Sequence, residues 1–430
     1  MDTTTLVVIA GGVVLFGLIS RRLDSTVVTA PMIFVAFGVI VGNAVLGIVQ
    51  LDVGHGFIHG LAEVTLILVL FVDAARIDVK SIRRDHSLPV RMLAIGMPLV
   101  IAVGIVAALA LPLGLSLWEA ALLAAILAPT DAALGQSVVV SPLVPQRIRQ
   151  ALNIESGLND GIALPVVLLF AFLASAAEGI EDRDWLLFGA QQIVLGPIAG
   201  VLVGWAGARL IDRAVKARWM SESYEGPASL GLALLAFAAA EEIGGNGFIA
   251  AFVAGLVFGN AVRGRCTFLF EFAEAEGHLL TLLTFLIFGA ALVPEALGHI
   301  GWPVVAYAVL SLTVVRMAPI GIAMIGSGVS RSTTAFLAWF GPRGLASILF
   351  ALFVVENAKL QNGPIIMTVI IATVTLSVLV HGLTAAPFAR WYGSVASKDA
   401  DSLEMREVPE MPTRAGFAHR PRQTAHRDGP

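Results

Sequence analysis

The sequence predicts an all-α polytopic membrane protein of about thirteen transmembrane helices, built as an inverted repeat that carries two interrupted helices. Three observations predict it. Of the 430 residues, 57% are hydrophobic and only 13% charged, with a mean hydropathy of +0.86, and long apolar runs of this kind belong to membrane proteins. Lys and Arg gather in alternate loops. Two spans that lie seven apart are each broken by Pro or Gly.

The opening "MDTTT" has no basic residue ahead of its apolar run, and Arg21 and Arg22 follow it. That is not the order of a signal peptide, so the first helix is expected to stay with its amino end outside. Apolar windows of about 17–25 residues then place spans near 4–20, 28–49, 57–76, 89–111, 118–141, 152–176, 186–208, 227–243, 246–262, 278–295, 302–325, 332–355 and 364–389. Of the 27 Lys and Arg, 23 fall on one side of this arrangement. Arg183 and Lys359 fall on the other, while Arg316 and Arg343 lie inside spans. The positive-inside rule makes the rich side cytoplasmic, which leaves the carboxyl terminus inside, as an odd number of spans requires. A multi-pass protein of the plasma (inner) membrane is expected. Residues 393–430 are polar, acidic first and then basic, and read as a disordered cytoplasmic tail after a membrane domain of 1–392.

Composition also excludes function classes. The net charge of -4 comes without a basic run or an aromatic-basic stripe, so no nucleic-acid partner is expected. The single cysteine, Cys266, allows no intrachain disulfide and builds no metal site alone. No cofactor motif is present, and none is expected.

The fifth span, in "AAILAPTDAALGQSVVV", is broken at Pro129; the twelfth carries "FGPRGLAS", with Gly341, Pro342 and Gly344 around Arg343. Proline removes a backbone hydrogen bond and clashes with the turn before it, so both helices should open. An offset of seven spans makes spans 4–6 and 11–13 cross in opposite senses. Paired interruptions in two inverted halves are the mark of a midplane substrate site in secondary transporters.

Charges at the same level reinforce this. Asp160, in "LNIESGLNDGIALP", lies roughly 12–14 Å from the cytoplasmic end of its span at 1.5 Å per residue. Asp131 lies about 20 Å from the outer end of its own, so both sit near the centre of a ~30 Å core. Thr130 and Asn159 precede them and could offer neutral oxygen ligands, with Ser156 and Asp73 as accessory candidates. Glu155 lies ~6 Å deep, level with Arg316, and depth favours a structural Glu155–Arg316 pair. It leaves Arg343 beside the breaks, balancing carboxylates and helix C-terminal dipoles. Asp73 can alternatively pair with Arg76 three residues on. Glu241 and Glu242 read as interfacial, and His278 and His381 as lone structural histidines.

At "PTDAALG", "ESGLNDGIALP" and "FGPRGLAS" the chain resembles the cation:proton antiporters of the NhaP/NHE type, over about residues 5–390. The resemblance implies the antiporter fold, with the broken helices five and twelve crossing, in a homodimer. It implies a moving core of about 89–176 and 302–389 against dimerisation and scaffold helices of about 4–76 and 186–295. It implies a cation, Na+ first and Li+ or K+ otherwise, bound mainly by Asp160 with help from Asp131 and Thr130. The Asn159-Asp160 pair, where electrogenic relatives have Asp-Asp, implies one cation exchanged per proton, electroneutrally. The sequence departs from the pattern in placing its proline before the Thr-Asp pair rather than after it.

The mechanism this predicts is competition. Either a proton or a cation neutralises Asp160, binding one ejects the other, and only the neutralised site crosses, because a bare carboxylate is expensive to move. The rivals are a potassium/proton exchanger, a cation channel and an intramembrane aspartyl protease. The protease reading lacks a Gly-x-Gly-Asp motif at "GLND".

Overall fold

The computed structural model describes residues 3–23, 26–49, 56–79, 87–131, 134–179, 185–262, 277, 279–355, 358, 360–397, 403–406 and 408. Helices occupy every window in turn. They are α1 (Thr3–Leu23), α2 (Ala30–Val41), α3 (Gly56–Arg76) and α4 (Ser87–Ala110). The fifth is split into α5a (Leu117–Ile126) and α5b (Gln136–Val139). Then come α6 (Gln146–Ala177), α7 (Trp185–Lys216), α8 (Glu222–Glu242) and α9 (Gly247–Val262), α10 (Leu279–Leu297) and α11 (Trp302–Ala323). The twelfth is split into α12a (Arg331–Trp339) and α12b (Leu345–Val355), and α13 (Gly363–Ala396) closes the bundle. No strand occurs among the described residues.

The chain is therefore an all-helical, multi-pass membrane protein. Among the described residues, seven helices are by themselves long and apolar enough to cross a bilayer; α2, α5a, α9 and α12b are shorter apolar helices. Helix length and composition thus support fewer crossings than the thirteen windows: α2 and α9 are short, the fifth and twelfth elements are interrupted, and α3 and α8, 21 residues each, are outside the seven. Hydrocarbon-facing surface is plain on α1, which buries only Thr5 and exposes Leu6, Val7, Val14, Leu15 and Leu18.

Close helix packing repeats across the two halves. Gly38 in α2 and Gly42 at its C-terminal cap lie against the main chain of α10, where a methyl on either would strike the carbonyl oxygens of Leu286 and Ala290. In α9, Gly255 and Gly259 lie the same way against Phe71 and Ala75 of α3. Both are Gly-x-x-x-Gly pairs, the spacing that lets apolar helices approach when no hydrophobic driving force separates lipid from protein. An offset of seven elements converts one contact (α2 on α10) into the other (α9 on α3), so the inverted repeat is visible in the packing.

Ends are secured locally. Ser116 and Glu119 form a capping box at the start of α5a, and the Glu119 carboxylate also accepts the Asn362 N–H (3.2 Å) and side-chain amide (3.0 Å), tying α5a to the start of α13. At the other end, α13 runs past its expected limit near 389 to Ala396, and a short turn, Leu403–Met405, packs back on the helices. Arg147 Nη1 donates to the Leu403 carbonyl (3.1 Å), and the Glu404 carboxylate accepts from Ser330 N–H (2.7 Å) and the Thr333 hydroxyl (2.8 Å). These residues lie within the segment that composition assigns to a disordered tail. Capping of α12a explains their order. The rest of that tail from residue 409, with His278, Arg183, Lys359, Arg263 and Arg265, lies outside the described residues.

Candidate functional site

The two interruptions meet. Helix ends at Ile126 in the fifth element and a new helix starts at Gln136, and the twelfth leaves the helical conformation from Phe340 to Gly344. The end of α5a exposes carbonyls that no turn of its own helix can satisfy, and the twelfth element supplies their donors. Arg343 Nη1 donates to Ala128 O (2.8 Å) and Pro129 O (3.2 Å), and the Ser347 hydroxyl donates to Ile126 O (2.8 Å). In return, Asp131 serves the amino end of α12b. Its Oδ2 accepts the Leu345 N–H (2.8 Å), and its own N–H donates to Pro342 O (2.8 Å). A cation thus faces the negative end of one half-helix and an anion the positive end of the other. Arg343 is fully buried and Asp131 nearly so. Gly344 is required here, because a methyl would fall 2.8 Å from Asp131 Cβ and 2.9 Å from its Cγ.

α6 braces the fifth element from the other side. The Ser156 hydroxyl donates to Thr130 O (2.7 Å), and Asn159 Nδ2 donates to Thr130 Oγ1 (2.7 Å) and O (3.3 Å). The sequence reading expects Asn159 to offer oxygen to a cation; its NH2 faces Thr130, while its buried Oδ1 accepts no hydrogen bond among the described residues. An aspartate could not donate these bonds. Ser156 and Asp160, four residues apart, share one face of α6. Asp160 is buried. Thr130, Asp131, Gly135, Leu152, Ser156 and Pro342 line part of a small cavity at the crossing, whose lining does not include Asp160.

Glu155 faces elsewhere. Its two carboxylate oxygens meet Arg316 Nη1 at 2.6 Å and Nη2 at 2.9 Å, with both side chains buried. This is the partner that depth favours, and it fastens α6 to α11. Asp73 and Arg76 lie 3.8 Å apart on α3, both largely buried. Glu241 accepts the Gly247 N–H (2.8 Å) across the turn between α8 and α9, a helix-capping contact. Among the described residues no three acidic, His or Cys side chains converge as a chelating cluster. The site brings together single carboxylates, hydroxyls and main-chain oxygens instead.

Sequence reasoning missed the groups that complete the crossing, namely the Leu345 N–H, the Pro342 carbonyl and the Ser347 hydroxyl. Main-chain groups carry no side-chain signature, and a serine in an apolar run reads as a tolerated small residue. A helix end opposite a buried aspartate was the available signal.

Comparison with known proteins gives the context. A family model described as "Sodium/hydrogen exchanger, transmembrane" matches residues 9–391. The chain is 25% identical over 425 residues to the K(+)/H(+) antiporter NhaP of Alkalimonas amylolytica, covering 96% of this chain and 72% of that one. It is 26% identical over 382 residues to the K(+)/H(+) antiporter NhaP2 of Shewanella sp. (strain ANA-3), covering 88% of this chain but 64% of the relative. Its fold matches that of the sodium proton antiporter MjNhaP1 from Methanocaldococcus jannaschii, with a TM-score of 0.73 at 20% identity over 90% of this chain and 97% of that one.

Proposed function

The chain belongs to the sodium/hydrogen exchanger family, and we propose that it is a secondary-active antiporter, not an enzyme, exchanging a monovalent cation for a proton. One observation carries this reading. Two inverted half-helices meet at a crossing whose ends are matched by Arg343 and Asp131, and a second buried carboxylate, Asp160, lies one turn along α6 from Ser156, which holds Thr130. Unwound backbone inside a membrane is tolerated only where protein or a wet cavity satisfies it, and a cavity lies at the crossing.

Asp160 is the shared carrier of proton and cation. Asp131 and Thr130 complete the cation's oxygens, with Ser156 and Asp73 as accessories. Asp131 is held by the α12b amino end, so it acts as a fixed charge while Asp160 exchanges its occupant. Asn159, spent on holding Thr130, adds no titratable charge, which supports electroneutral one-for-one exchange. Glu155–Arg316 and Arg343 fasten α6 to α11 and α12 to α5. The core of α4–α6 and α11–α13 is thereby stitched across the two halves of the repeat and moves as one body. It moves against α1–α3 and α7–α10 in a homodimer within the inner membrane, with the amino terminus outside and the carboxyl terminus cytoplasmic.

Sodium is our first reading of the cation. Potassium is the second, favoured by the two sequence relatives named as K(+)/H(+) antiporters. Proton flux in proteoliposomes, titrated with sodium and then potassium at clamped potential, separates them. Asp160→Asn should abolish cation-dependent proton movement in protein that still folds; retained exchange refutes the assignment.

A further inference from the structure

The thirteenth element mirrors the sixth. α6 holds the broken fifth helix through Ser156 and Asn159, and the same offset of seven elements maps α6 onto α13 and the fifth helix onto the twelfth. On α13, Ser377 and His381 are four residues apart on one face, and both are fully buried. His381 Nε2 lies 3.1 Å from the Trp339 carbonyl, the last residue of α12a. His381 Nδ1 lies 3.2 Å from both the Ser377 carbonyl and Ser377 Oγ, and Ser377 Oγ accepts the Arg343 N–H at 2.7 Å. The Trp339 ring lies 5.4 Å from the imidazole, and its indole N–H donates to Thr384 on the same helix (3.1 Å).

The imidazole joins the Trp339 carbonyl to Ser377, and the Arg343 N–H donates to Ser377 Oγ. The bonds bracket the non-helical segment Phe340–Gly344, whose Pro342 carbonyl holds Asp131 and whose Arg343 side chain holds the end of α5a.

From this geometry we infer that His381 and Ser377 are positioning residues for the cation site. They set the non-helical segment of the twelfth element, and through it Asp131, as Asn159 and Ser156 set Thr130. The inference rests on the antiport reading for its functional consequence, but the clamp itself is tested separately.

Three variants decide it: His381→Leu removes both bonds, His381→Gln keeps a donor near the Nε2 position, and Ser377→Ala removes the acceptor of the Arg343 N–H. Hydrogen exchange of the peptide spanning Phe340–Leu345 should accelerate about tenfold or more in His381→Leu and Ser377→Ala, and stay near wild type in His381→Gln. In cation-driven proton flux, the same two variants should raise the cation KM about tenfold with kcat changed less than threefold, and His381→Gln should restore it to within about threefold. Ser377→Ala carries the test if His381→Leu does not fold. Unchanged protection in folded variants overturns the clamp. Lost protection with an unchanged KM overturns the positioning role. A wild-type protein that exchanges no cation for protons refutes the antiport reading instead, while the protection data still decide the clamp.

Discussion

Consider replacing Glu155 by Gln. The Arg316 guanidinium is 2% exposed and its partner carboxylate 3% exposed, and two contacts of 2.6 and 2.9 Å join them. Arg316 Nε already donates to no acceptor among the described residues. Glutamine therefore leaves a buried cation with one neutral acceptor at best. Breaking a buried pair from one side costs about 3–5 kcal/mol, whereas replacing both partners by apolar residues of similar volume ranges from neutral to stabilising. Glu155→Gln and Arg316→Met should each lower stability by about that amount, and Glu155→Met with Arg316→Met should recover most of it. Thermal unfolding of detergent-solubilised protein, run as a double-mutant cycle with size-exclusion profiles, measures both. A Gly341→Ala variant should resemble the single variants, since its methyl would reach the guanidinium carbon at 2.7 Å. The reasoning fails if the single variants unfold like wild type yet no longer exchange ions, because the pair would then belong to the ion path. It also fails if the double variant is as damaged as the singles.

Other outcomes follow from the same geometry. Gly344→Ala should displace the Asp131 side chain and raise the cation KM at least tenfold, read from flux titrations; an unchanged KM would mean that Asp131 does not contribute to the site. Asn159→Asp removes both donors to Thr130 and adds a carboxylate, so it should destabilise by about 1–3 kcal/mol and make flux respond to an imposed membrane potential. Burial pushes the Glu404 carboxyl up, but hydrogen bonds from the Ser330 N–H and the Thr333 hydroxyl outweigh it and hold the group below the ordinary carboxylate range. Docking of the Leu403–Met405 turn should thus be complete above the unfolded value of about 4.3. It should be lost as pH falls through the lower docked value, with hydrogen exchange of residues 403–406 as the readout. Glu404→Gln should weaken it at neutral pH.

Much of this was legible before any coordinates. Hydrocarbon is a uniform solvent, so membrane spans are written as apolar length, and Pro129, Pro342 and their glycines announce the breaks because proline cannot complete a helical turn. Asp131, Asp160, Glu155, Arg316 and Arg343 stood out for the same reason: a charge in an apolar run must have a partner. Depth along straight helices even favoured Arg316 as the partner of Glu155, since both lie near the same ends of their spans.

The partners of the crossing were a different matter. That Asp131 caps α12b, that Arg343 closes α5a, that Asn159 turns its NH2 to Thr130 and that His381 reaches Trp339 depend on rotation about helix axes and on main-chain groups. Sequence spacing specifies depth along a helix to within a turn, but not which neighbour a given face meets. The sequence by itself determined the solvent, the spans and the charged residues that had to be satisfied. Only the packed helices decided what satisfies them, because hydrogen bonds form over about three ångströms, and only tertiary structure places groups that closely.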